Sequence, residues 1–329
     1  MWPSIIAAPR SIGIVCRDEF DSWRVEPGEL ASKSYNALKL KRLSFFLDVG
    51  LPHGNPMGFA FDGSLLIPRN PHIRSADDAS DEFNSVLAAL HLGGLSQEQV
   101  SSKDLSFGEL QSTGYFRYQQ AHGLAGRVQI ALGEGEIGSY LGIDFRDPPK
   151  TFRKDIEAAY AVGKPVLDSI APVNAAAVLS AFSHYRRGEL RNSLVYGWLV
   201  VEQIISQLWE QDFLTDHKFI GFDERKNGLN AVARQVAGKI ELLSQAGLLN
   251  KKLYIDLSSA RKARNRLIHN DTNPSYQDCR ACLSSISDLV AARCSRSGVK
   301  FDPAPLTIAI EPKASNQPRG VARSEDVDW

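Results

Sequence analysis

An α+β half followed by an all-α antiparallel helical bundle is the fold class this sequence predicts, on three observations. In residues 1 to about 150, glycine, proline and aromatic residues are frequent, and short apolar runs are separated by turn residues. Asp147-Pro148-Pro149-Lys150 then marks a break of the kind found between domains. Beyond it alanine and leucine rise, glycine falls, and apolar residues recur at three and four, the spacing of an amphipathic helix. At 329 residues the chain has room for two domains with sizeable cores. The division expected is residues 1–150, a linker or helix at 151–170, a bundle at 171–298 and a flexible tail at 299–329.

In the first half, residues 11–16, 44–49, 58–61 and 65–67 read as strands, broken by Pro52, Pro56, Asp62-Gly63 and Pro68. Residues 81–92 read as a helix, since Phe83, Val86, Leu87 and Leu90 recur at three and four and Gly93-Gly94 ends the run. Residues 115–118, 127–131 and 139–145 again look extended. Asp77, Asp78, Asp81 and Glu82 resemble a metal cluster by composition, but acids leading into a helix serve its N-terminus. The histidines here, His53, His72, His91 and His122, have no ligand spacing, and Gly133 to Gly138 lacks the Lys-Ser/Thr pair of a phosphate loop. This half is expected to sense or regulate, with a ligand or protein partner that its residues do not name.

In the second half, a helix over 151–163 should end at Gly163-Lys164-Pro165, and Pro172 suits the first turn of the next, which runs to about Arg187. The clearest helix spans about Glu189 to Gln211, with Leu194, Trp198, Val201, Ile205 and Leu208 in one stripe. Another runs from Asp223 to Ala246, with Leu229, Val232, Val236, Ile240 and Leu243 inward. A further helix begins near Asn250 and stops near Asn270-Asp271. Pro274 opens the last, which turns Cys279, Cys282, Leu283, Ile286, Leu289 and Val290 to one face. Past Gly298, prolines in polar surroundings predict a tail, although Phe301 and residues 306–310 could pack as an extended arm.

Composition excludes several classes. Net charge is zero, so any affinity for nucleic acid must come from local clusters. Four cysteines, three of them in one helical segment, are not a secreted disulfide framework, and Cys279-x-x-Cys282 has no second ligand pair for zinc. No metal or cofactor is expected. The first residues lack a basic n-region, and no apolar run approaches a bilayer's thickness, so a cytoplasmic protein without membrane association is expected.

The sequence concentrates its chemistry at Arg264-Asn265-Arg266-Leu267-Ile268-His269. Asn265 and His269 are four apart and share a helix face. Arg264 lies about 100° around from Asn265, within reach of that face for a long side chain. His269 falls in the last turn, where the dipole favours a cation, and an imidazole moves protons near neutral pH. An arginine can grip two phosphate oxygens at once. These are the groups that break a phosphodiester without a metal. From Lys251 to Lys300 there are ten lysines and arginines against four aspartates, a net of +6. Arg261, Lys262 and Arg266 should form a cationic stripe that attracts RNA. Glu202 sits on the edge of the apolar stripe, where a carboxylate is costly unless paired, and Arg264 is the expected partner.

This Arg-Asn-x-x-x-His pattern, on a helix that follows one with an inward-edged acid, resembles the HEPN family over about residues 170 to 297. The resemblance implies a metal-independent endoribonuclease in which Arg264, Asn265 and His269 are catalytic and Glu202 supports them. It implies attack by the ribose 2′-hydroxyl, a homodimer whose motifs face one groove, and a toxin or antiviral effector controlled by the first half. It also allows an alternative, a noncatalytic RNA-binding or assembly scaffold in which the motif is structural.

Overall fold

Period-two alternation builds the first layer. In β1 (Trp2–Ala7), Ile5 and Ala7 point into the main core, while Ile6 joins a smaller cluster with Ala60, Leu66, Leu110 and Phe116 on the opposite face. The computed structural model describes residues 2–7, 14–21, 42–50, 56–121, 150–215 and 223–309. The other strands are β2 (Ile14–Cys16), β3 (Leu43–Leu47), β4 (Met57–Ala60), β5 (Leu65–Pro68), β6 (Leu105–Leu110), β7 (Phe116–Ala121) and β8 (Lys150–Phe152). Six of them form one sheet in the order β3-β4-β5-β1-β6-β7, antiparallel throughout. β2 pairs with β8 in parallel, so the segment after the expected break returns to the first half. Phe45 and Phe59 stack across β3 and β4 with ring centroids 5.0 Å apart.

Three strands, β1, β6 and the short β8, are absent from the sequence reading. Trp2-Pro3 and Gly108-Glu109 interrupt the β-branched or aromatic run expected of a strand, and tertiary pairing overrides that weak local signal. The extended segments expected at 127–131 and 139–145 lie outside the described residues, as does the break itself up to Pro149.

Helix α1 (Ala76–Leu92) begins five residues before the expected start because Ser75 caps it: its hydroxyl accepts from Asp78 N at 3.0 Å, and the Asp78 carboxylate accepts from Ser75 N at 2.9 Å. Asp77 and Asp78 thus serve the helix start, while Asp81 and Glu82 lie further inside the helix. The helix is buried nearly all round, because it lies between the sheet and two further helices, α2 (Arg153–Ser169) and α3 (Ala175–Arg186). The apolar core runs without a break from the sheet through α1 into the helices. The loop after α1 stitches the same junction: Asn84 exchanges two hydrogen bonds with Val100, and Arg186 donates to Gln97 O at 2.8 Å.

α2 passes through Gly163 and Pro165 instead of ending there. The physical reason is close packing. A Cβ on Gly163 would stand 1.8 Å from Ala89 O, and one on Gly93 would stand 1.9 Å from Ala159 O, so α1 and α2 touch backbone to backbone. Gly163 therefore marks a crossing, and burial of Val166 and Leu167 beyond it holds the last turn.

Buried beside that junction is His91, whose Nδ1 accepts from Gln97 N at 3.3 Å and whose ring tilts against Phe182. The ring proton is left on Nε2, which has no hydrogen-bond partner among the described residues. Burial, with Arg186 adding repulsion, pushes the imidazole down to about 3 from its ordinary 6.5. The unfolded chain therefore takes up a proton below pH 6.5 that the folded chain refuses. Stability attributable to His91 should fall by about 1.4 kcal/mol per pH unit as pH drops from 6.5 towards 3. Urea midpoints at pH 7 and pH 5 check this: His91→Leu should lose less on acidification than wild type, and equal losses would refute it.

The remaining helices are α4 (Leu190–Gln207), α5 (Asp223–Val232), α6 (Val236–Gln245), α7 (Lys251–Asn270), α8 (Tyr276–Arg296) and α9 (Ala304–Ala309), with α4 continued by a π-helical segment, Leu208–Phe213. The single helix expected over 223–246 is two, because Gln235 is extended (φ −97°, ψ 146°) and Ala233 plugs the core at the corner. Val232, expected inward, is 74% exposed as a result, while Ile240 and Leu243 are buried as expected. α8 starts at Tyr276, with Ser275 and Asp278 forming its capping box. The cysteine face of α8 is core: Cys279, Cys282 and Cys294 are buried, and burial pushes the Cys279 thiol up to about 12. At the start of the expected tail, Phe301 packs against the core and Leu306 is buried in α9, so this stretch docks as a short helix and not as an extended arm. Residues 310–329 lie outside the described residues.

Candidate active site

Helix α7 carries the motif, and its sequence explains its shape. Asn250 caps it by accepting from Leu253 N at 2.9 Å. Leu253, Leu257, Ala260, Ala263 and Leu267 form the buried stripe, and the two alanines let α7 lie close to its neighbours α4 and α8. The helix stops at Asp271, which adopts the left-handed region (φ 49°, ψ 28°) and returns its N–H to Arg266 O. An aspartate tolerates that backbone better than most residues.

The turn after the motif is tied down. Arg191, in the first turn of α4, pairs with Asp271 and donates from Nη1 to Asn273 Oδ1 at 3.1 Å. Arg266 pairs with Asp278 of α8 at 3.2 Å. These partners lie 80 and 12 residues away in sequence. No local signal marks Arg191, so the sequence reading missed it.

The three motif side chains emerge on one stretch of this helix. Asn265 and His269 are exposed, and Arg264 is half-buried. Arg264 Nη1 lies 3.4 Å from Asn265 Oδ1, so the guanidinium swings towards the face that Asn265 and His269 share. No hydrogen bond joins His269 to either residue, so its ring is not preset against them. Among the described residues no carboxylate pairs with Arg264, Arg261 or Lys262, and the last is exposed. Arg266, by contrast, is neutralised in part by Asp278.

Glu202 does not hold Arg264. It accepts from the Trp198 indole Nε1–H at 2.7 Å, one helical turn back on α4. The carboxylate on the stripe edge is thus satisfied within its own helix, because the indole needs an acceptor as much as Glu202 needs a donor. Glu202→Gln keeps an oxygen for that indole. It should leave melting temperature and any cleavage rate unchanged; a large loss of activity with folding intact would return Glu202 to the site.

The donor set is suited to an anion. Arg264 keeps most of its N–H groups free for phosphate oxygens, and His269 can accept or release a proton. Among the described residues no group of three or more His, Cys, Asp or Glu side chains is placed to hold a metal ion. The structure also lacks, among the described residues, any helix long and apolar enough to cross a membrane. Comparison with protein-family models, with curated proteins and with solved structures finds no match.

Proposed function

We propose that the protein is a metal-independent endoribonuclease acting on RNA in the cytoplasm through Arg264, Asn265 and His269. The observation that carries the reading is an arginine with no carboxylate partner among the described residues, beside an open histidine on one helix end. The ribose 2′-hydroxyl attacks its own phosphorus, and its proton passes to a base. The P–O5′ bond breaks, and the departing oxygen takes a proton. The products are a 2′,3′-cyclic phosphate (or the 3′-phosphate from its opening) and a 5′-hydroxyl. His269 carries the proton, Arg264 stabilises charge on the phosphorane, and Asn265 orients the phosphate or the imidazole. One chain offers one motif imidazole, and a twofold dimer would supply the second.

The scaffold alternative draws on a different geometry, in which Glu202 seals Arg264 above a buried His269. Glu202 is on Trp198 instead, and His269 is exposed. A toxin or antiviral role, with the sheet half controlling the helices, belongs to the same proposal; the continuous core through α1 offers a rigid path for it. The reading is tested by incubating purified protein with total RNA in EDTA and mapping the ends. Cyclic phosphate and 5′-hydroxyl ends are expected, and intact RNA would overturn it.

A further inference from the structure

The start of α4 is surrounded by aromatic rings that no core requires. Tyr276, in the first turn of α8, is 58% exposed, and Tyr196 of α4 is 37% exposed. His184 lies almost flat against Tyr196, with centroids 5.5 Å apart and planes 9° from parallel. Its ring is held there: Nδ1 is 2.6 Å from Glu189 Oε2, and Asn192 Nδ2 donates to the same oxygen at 3.4 Å. Tyr276 stands edge-on to Tyr185 at 5.8 Å, and its hydroxyl sits over Gly188. A Cβ at Gly188 would come within 3.0 Å of that oxygen, so the tyrosine rests on bare backbone. The turn between α3 and α4 therefore carries a ring surface on either side.

An exposed cation stands beside Tyr276, and two ion pairs connect the corner to the motif. Arg280, one turn on from Tyr276, is exposed and has no ion pair among the described residues. Asp278, two residues past Tyr276, holds Arg266 of the motif helix. Arg191, beside Asn192, holds Asp271, two residues past His269. Two ion pairs thus strut the aromatic corner against the helix end that carries Arg264 and His269. Exposed rings beside the exposed guanidinium of Arg280 fit a polyanion with accessible π-faces. A single strand has such faces, and a duplex hides them.

We propose that Tyr196, stacked on His184, and Tyr276 form a platform on which unpaired bases of single-stranded RNA stack. The backbone of that strand then runs towards Arg264 and His269. This rests on the ribonuclease reading and narrows its substrate to unpaired RNA. The platform holds the substrate beside the reacting atoms without touching the scissile phosphate. Glu189 and Asn192 are positioning residues that keep His184 flat.

The test is fluorescence anisotropy of the full chain with a labelled single-stranded RNA whose 2′-hydroxyls are methylated and cannot be cut. Tyr196→Ala and Tyr276→Ala should each weaken binding by about 5- to 100-fold, while Tyr196→Phe and Tyr276→Phe keep it. A duplex of the same sequence should bind more weakly and ignore all four changes. Wild-type affinity in both alanine variants, with thermal melts unchanged, would overturn the platform; if RNA is still cut, the ribonuclease reading survives. No RNA binding by the wild-type chain would sink both. If the alanine variants instead lose mass in light scattering at unchanged RNA affinity, the corner is a protein contact and the proposal fails.

Discussion

His269→Ala should lower the rate of RNA cleavage in EDTA by about 10²- to 10⁴-fold, the range a positioned proton carrier supplies. The same variant should fold as well as wild type. His269 is exposed at the last turn of α7 and makes no hydrogen bond among the described residues, so its loss should change stability by less than about 0.5 kcal/mol. Arg264→Ala should cost about 10²- to 10³-fold through lost stabilisation of the phosphorane. Arg264→Lys should rescue it only partly, since an ammonium keeps the charge without the planar fork. Single-turnover rates at saturating RNA separate these effects from binding. Equal cleavage by His269→Ala and wild type would remove the motif from the chemistry.

Gly163→Ala should be among the most damaging single changes in the chain, although it adds one methyl group to a helix. Helix propensity alone would favour it by about 1 kcal/mol. The new Cβ, however, would lie 1.8 Å from Ala89 O and 2.7 Å from Gly93 N, and both are backbone atoms that cannot rotate away. α1 and α2 would have to separate, loosening the junction between the sheet and the helices. A loss of about 3 kcal/mol or more is expected, with a fall in melting temperature on the order of 10 °C. Gly228→Ala is the control. Gly228 is an exposed glycine inside α5 with nothing within 4 Å of its would-be Cβ, so it should gain stability. A Gly163→Ala protein that melts with wild type would show that the crossing is looser than described.

The parts legible in the sequence were those that local chemistry decides. The bounds of α7 followed from Asn250 at one end and Asn270-Asp271 at the other, and the inward face of α8 from Cys279, Cys282, Leu283 and Ile286, because caps and apolar periodicity act within one helix. The placing of Arg264, Asn265 and His269 on the last turns of α7 was legible for the same reason. β1 and β6 were not, since each is a strand only through pairing with its sheet neighbours. The Glu202 partner was misread because two donors competed for one carboxylate. Trp198, on the same helix, had the shorter reach, and only the packed structure shows that it won.

The sequence by itself determined where helices begin and end, which stripe of each is apolar, and which residues carry protons and charge. Those properties depend on neighbours three or four positions away. Tertiary structure alone decided that α1 belongs to both halves, that Gly163 is a crossing point and not a stop, and that Arg191 anchors the turn after His269. Such contacts join residues tens of positions apart. Whether they form depends on how surfaces fit in three dimensions, which no local pattern encodes.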